Sequence, residues 1–125
     1  MIKQIASKEL KEYLNNNPNC ILLDVRTEEE WINDGRPDGE KLGLKTYFLT
    51  IQFSDQSFNE NFIEDFDKLN IEKDCEILTL CMGGVRSQAA AELITRKDYK
   101  CSNISDGFLG NNENVGWKGN NLPSK

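Results

Sequence analysis

The stretch Glu76-Ile77-Leu78-Thr79-Leu80-Cys81-Met82-Gly83-Gly84-Val85-Arg86-Ser87 decides the fold. Its first six residues are a short, nearly continuous apolar run, the pattern of a strand buried on both faces of a parallel sheet. A double glycine then turns the chain. From Ser87 to Lys97 the residues Ala89, Ala90, Leu93 and Ile94 are expected to face inward on a helix, with Arg96-Lys97 at its negative end. Strand, glycine turn and helix in succession predict an α/β fold, with Cys81 as the last residue of its strand. Ligands of such sheets collect at the carboxyl ends of the strands, and Cys81 lands there.

Working outward, Cys20 to Val25 is a second short apolar run and predicts another buried strand. Thr27 comes next as a helix cap, with Glu28, Glu29 and Glu30 as an acidic first turn. Upstream, Ser7 caps a helix carrying Leu10, Tyr13 and Leu14, which Asn15 to Asn19 stop. Residues 33–39 read as loop, Leu44 to Ile51 as a strand, and Cys101 to Ile104 as a short strand. Phe58, Phe62, Phe66 and Leu69 are spaced as on an amphipathic helix. The Gly- and Asn-rich segment from Asp106 to Lys125 reads as ordered loop. With no repeat, low-complexity tract or linker, residues 1–125 are expected to form one domain, a mainly parallel sheet covered on both faces.

Composition narrows the function. The chain has a net charge of -6 and no histidine. An acidic balance argues against a nucleic-acid partner, which would need a basic face. No apolar run approaches the ~20 residues that span a bilayer, and the start lacks a signal-peptide core, so the expectation is a cytoplasmic protein without membrane contact. In that compartment the four cysteines are expected to be reduced, and no C-x-x-C pair suggests a metal site. Cys20, Cys75 and Cys101 read as small buried hydrophobes.

Cys81 differs because of its downstream neighbours. Gly83 and Gly84 let successive N–H groups converge into an anion-binding nest. Arg86 adds a permanent charge, and Ser87 can cap the helix or hydrogen-bond the sulfur. Without an imidazole, Cys–His hydrolysis is excluded. Attack on a sulfane sulfur needs no such partner, since a leaving group such as sulfite departs unprotonated. The common alternative for any strand-ending cysteine before a Gly-Gly turn is simple packing.

The segment Cys81-Met82-Gly83-Gly84-Val85-Arg86-Ser87 resembles the active-site loop of rhodanese-like domains. Leu22-Leu23-Asp24-Val25-Arg26, with Glu28, Glu30 and Trp31, resembles that family's early strand and the helix after it. Asp106-Gly107-Phe108, Gly116-Trp117-Lys118 and Leu122-Pro123 resemble its C-terminal turn and ending. The resemblance implies a five-stranded, mostly parallel sheet flanked by helices on both faces. It implies Cys81 as the sulfur-carrying nucleophile and the backbone of residues 82–86 as its cradle. Asp24 and Arg26 would stand beside the loop, with a structural role favoured over direct catalysis. It also implies a small-molecule donor such as thiosulfate and a thiol or cyanide acceptor, with a thioredoxin-like or sulfur-relay protein as a further partner and no cofactor. Monomer and homodimer both stay open.

Two departures bear on the donor. Gly35-Arg36-Pro37-Asp38-Gly39 keeps only part of the family's pocket-wall segment, and Met82 stands where some thiosulfate-using members carry a basic residue. An apolar side chain there suits a protein-bound or low-molecular-weight persulfide. The nearest enzymatic rival, a cysteine phosphatase, needs C-x5-R, but only four residues separate Cys81 from Arg86. A non-catalytic docking or sulfur-relay module is the remaining alternative.

Overall fold

The computed structural model describes residues 1–125. Five strands, β1 (Lys3–Ile5), β2 (Cys20–Asp24), β3 (Lys45–Phe48), β4 (Glu76–Leu80) and β5 (Lys100–Ile104), form one sheet in the order β1-β5-β4-β2-β3. Every pairing is parallel. Helices α1 (Leu10–Asn16), α2 (Glu28–Asp34), α3 (Phe62–Asp67), α4 (Val85–Thr95) and α5 (Gly116–Gly119) make the connections or come after the last strand. No helix is long and apolar enough to cross a membrane.

The sheet's period of two sorts its side chains into two cores. Ile21, Leu23 and Val25 from the β2 segment join Ile77 and Cys81 on one face, against Phe62 and Phe66 of α3 and Ala90, Ala91 and Ile94 of α4. Cys20, Leu22, Leu78 and Leu80 point the other way, onto Leu10 of α1, Phe108, Trp117 of α5 and Leu122. The central strands are buried at every position, which is why they read as continuous apolar runs.

The structure corrects several local expectations. Residues 3–5 form an edge strand that no sequence pattern marked. Cys81 is the first residue beyond β4, and α4 begins at Val85, two residues ahead of Ser87. The buried stripe of α4 is Ser87, Ala90, Ala91 and Ile94, while Ala89 is exposed. Three consecutive alanines fit either phase of a helix, and the packing of Ser87 chooses this one. Phe58 lies outside α3, half exposed, in an antiparallel bridge between residues 52 and 58. Cys75 is only partly buried, at the rim before β4.

Residues 106–125 hold much more than loop. Trp117 and Phe108 are fully buried, and the Trp117 indole N–H donates to the Pro123 carbonyl at 2.8 Å. The fully buried Asp106 carboxylate accepts from the Ser7 N–H, the Ser7 hydroxyl and the Gly116 N–H. One side chain thus joins the segment before α1 to the start of α5.

Candidate active site

The loop after β4 is organised by β5 and the segment that comes after it. Four consecutive carbonyls are drawn to that side: Cys81 accepts from the Phe108 N–H, Met82 from the Leu109 N–H, Gly83 from the Asn111 amide and Gly84 from the Asn103 amide. The approach is close enough to demand glycine twice. Gly84 has φ +106° and a Cβ there would overlap the Ser105 carbonyl; Gly107 has φ +65° and its Cβ would overlap that of Met82.

With its carbonyls committed to one side, the loop has N–H groups left for an anion on the other. The Gly84 N–H donates to Cys81 Sγ at 3.1 Å. The N–H groups of Met82, Gly83, Val85, Arg86 and Ser87 find no acceptor within the protein. Those of the last three open α4, so the positive end of a three-turn helix adds to the cradle. Ser87 Oγ lies 3.2 Å from Cys81 Sγ. The cysteine itself is 1% exposed, so only a small or slender group reaches its sulfur.

Arg86 stands differently from the expectation. Its guanidinium grips Glu30 with two hydrogen bonds of 2.8 Å, tying α4 to α2. Glu30 also closes the capping box of α2, accepting from the Thr27 N–H and hydroxyl. Burial pushes the Glu30 carboxyl up, but the Arg86 and Thr27 donors outweigh it and hold the group at about 2. The backbone of Arg86 belongs to the cradle; its charge is already neutralised.

Asp24 and Arg26 form a wholly buried pair, with a shortest contact of 2.8 Å. Arg26 also donates to the Gly35 carbonyl and stacks 4.2 Å from the Phe108 ring centroid. Because the Phe108 N–H holds the Cys81 carbonyl, the pair braces the loop from behind without touching sulfur. The other cysteines present nothing comparable. Burial, then the Glu76 charge, pushes Cys20 to about 12, and burial pushes Cys101 to about 11. Burial and then the Asp74 and Glu72 charges raise Cys75 as well.

Sequence reasoning missed Glu30 as the partner of Arg86, and it missed Asn103 and Asn111 on the loop carbonyls. Glu30 was visible only as part of an acidic first turn behind the Thr27 cap. Polar residues in a strand and in a Gly/Asn-rich turn carry no motif that names their partners.

Comparison with known proteins places this geometry among relatives. The family model described as "Rhodanese-like domain" matches residues 6–113. An uncharacterized protein of Rickettsia prowazekii is 43% identical over 125 residues, covering 98% of this chain and 97% of that protein. The tRNA uridine(34) hydroxylase of Chlamydia felis is 33% identical over 102 residues, which are 78% of this chain but 27% of that enzyme. A crystal structure of a Mycobacterium tuberculosis protein superposes with a TM-score of 0.84 at 32% identity, covering 98% of this chain and 96% of that one.

Proposed function

The chain belongs to the rhodanese-like family, and we propose that it is a sulfurtransferase carrying a sulfane sulfur as a persulfide on Cys81. The observation that carries this reading is the position of Cys81 Sγ under the Gly84 N–H, in a loop whose remaining N–H groups have no acceptor. Such a cradle has nothing to do for a packed, neutral thiol. It suits a persulfide, whose outer sulfur is the charged atom.

With thiosulfate as donor, the Cys81 thiolate attacks the outer sulfur and forms a new S–S bond. The old S–S bond breaks with its electron pair on the departing sulfite. An acceptor nucleophile then takes the outer sulfur and restores the thiolate, a ping-pong cycle. Cyanide is an acceptor of this kind in an assay, giving thiocyanate; a thiol or thioredoxin-like protein is the acceptor of this kind in a cell. A reducing compartment such as the cytoplasm fits four free cysteines.

Met82 as the residue after Cys81 and an Arg86 neutralised by Glu30 leave little charge for a dianion. These two features favour a low-molecular-weight or protein-bound persulfide over thiosulfate as the better donor. The test is thiocyanate release with each donor, in the wild type and in Cys81→Ser. Release lost in the mutant, and faster with glutathione persulfide than with thiosulfate, is the expected result. Absence of any Cys81 persulfide by mass spectrometry with both donors would turn the reading toward a docking module.

A further inference from the structure

Ser87 has one hydroxyl proton and two neighbours that want it. Cys81 Sγ lies 3.2 Å from Ser87 Oγ, and Asn103 Oδ1 lies 2.6 Å away on another side. Asn103 cannot turn round to ease this competition. Its Nδ2 donates to the Gly84 carbonyl at 3.0 Å and to Gln4 Oε1 at 2.9 Å. A backbone carbonyl only accepts, so the amide nitrogen must face Gly84 and the oxygen must face Ser87. The residue is 2% exposed, and β5 fixes its backbone.

We propose that Asn103 is a positioning residue that governs Cys81 through Ser87: its side-chain oxygen holds the Ser87 proton away from the sulfur. The resting chain of hydrogen bonds then runs from the Cys81 S–H to Ser87 Oγ and from the Ser87 O–H to Asn103 Oδ1, each link polarising the next. The sulfur that becomes charged after transfer is the outer one, which meets the backbone N–H groups instead. The inner sulfur therefore gains nothing from a permanent hydroxyl donor. Keeping that donor occupied restrains an idle thiol from side reactions while leaving the persulfide cradle free. This rests on Cys81 being the reacting sulfur, but the restraint can be read without any sulfur transfer.

The experiment is alkylation of Cys81 by iodoacetamide at fixed pH, with peptide mass spectrometry so that Cys20, Cys75 and Cys101 are counted separately. In that reaction the thiolate displaces iodide and forms a C–S bond. Asn103→Ala removes the oxygen and frees the Ser87 proton for the sulfur, so alkylation is expected to speed up about tenfold, the worth of one hydrogen bond. Asn103→Asp keeps an acceptor toward Ser87 while losing the donor to Gly84, and is expected to be no faster than wild type. In a Ser87→Ala background, Asn103→Ala is expected to give no acceleration, whatever it costs the loop through the lost Gly84 contact. Equal rates for the two Asn103 variants, or an Asn103→Ala acceleration that survives Ser87→Ala, would assign Asn103 to loop packing alone and overturn the proposal. Persulfide formation in the wild type is scored separately, so failure of the sulfurtransferase reading cannot be mistaken for failure of this one.

Discussion

Arg86 and Glu30 meet in a fork of two 2.8 Å hydrogen bonds that joins the first turns of α4 and α2. The same carboxylate caps α2 through Thr27, so one side chain serves two helices. Its value held at about 2 has a direct consequence for acid stability. A carboxyl depressed in the folded state contributes stability above its unfolded value of ~4.3 and loses it as the pH falls from there toward 2. Glu30→Gln is expected to flatten the stability–pH curve over that window, measured by urea unfolding at stepped pH. An unchanged curve would mean that other carboxylates govern acid unfolding.

The same substitution bears on the donor. Glu30→Gln releases the Arg86 charge beside the cradle, so KM for thiosulfate is expected to fall about twofold to fivefold, the range of one modest electrostatic interaction. A neutral alkylating reagent gains no such advantage. Steady-state kinetics on the variant and the wild type make the comparison. Arg86→Ala, in contrast, cuts the tie that holds the first turn of α4 against α2; it is expected to leave the fold intact, cost about 1–2 kcal/mol for the lost charge-assisted pair and weaken transfer by loosening the cradle backbone.

Gly83 and Gly84 are adjacent but not equivalent. Gly84 needs a positive φ and has the Ser105 backbone where a Cβ would go; at Gly83 the nearest atom to a Cβ is the Gly110 oxygen at 3.4 Å, an ordinary contact. Gly84→Ala is expected to destabilise the protein by roughly 2–3 kcal/mol and to abolish sulfur transfer, since the loop must leave its register. Gly83→Ala should keep both within a small factor. Thermal melts and thiocyanate release on the two variants decide it.

The buried Asp24–Arg26 pair is a different kind of support. Removing one partner strands the other in the core, where both side chains are fully buried. Asp24→Ala is therefore expected to cost roughly 3–5 kcal/mol, and its sulfur-transfer loss should track the unfolded fraction. Activity lost at full folding would instead give Asp24 a direct part in the chemistry.

The sequence disclosed those parts of the fold that depend on local pattern. β2 and β4 were visible because strands buried on both faces cannot hide their apolar runs. The Cys81 loop was visible because its cysteine, glycines, arginine and serine are near neighbours in the chain, so the whole local motif lies in one short span. Phe58 misled because its spacing from Phe62 is helical, although its backbone bridges to residue 52. β1 was silent, since three residues with one buried side chain form no period. The partners of Arg86 and of the loop carbonyls were silent for another reason: each comes from a distant part of the chain, and nothing in the sequence near residue 81 encodes which distant residue arrives.

That distance has a consequence for synthesis. All four carbonyls that orient the loop are held by residues 103–111, whose own position depends on Trp117 and on the Pro123 carbonyl. On the ribosome, Cys81 emerges well before any of them. A nascent chain at that stage carries a cysteine in an unsorted loop, with its N–H groups turned toward water. If Cys81 carries sulfur as proposed, loading must wait until residues 103–123 have been made and docked, because a half-made molecule lacks the contacts that orient the loop.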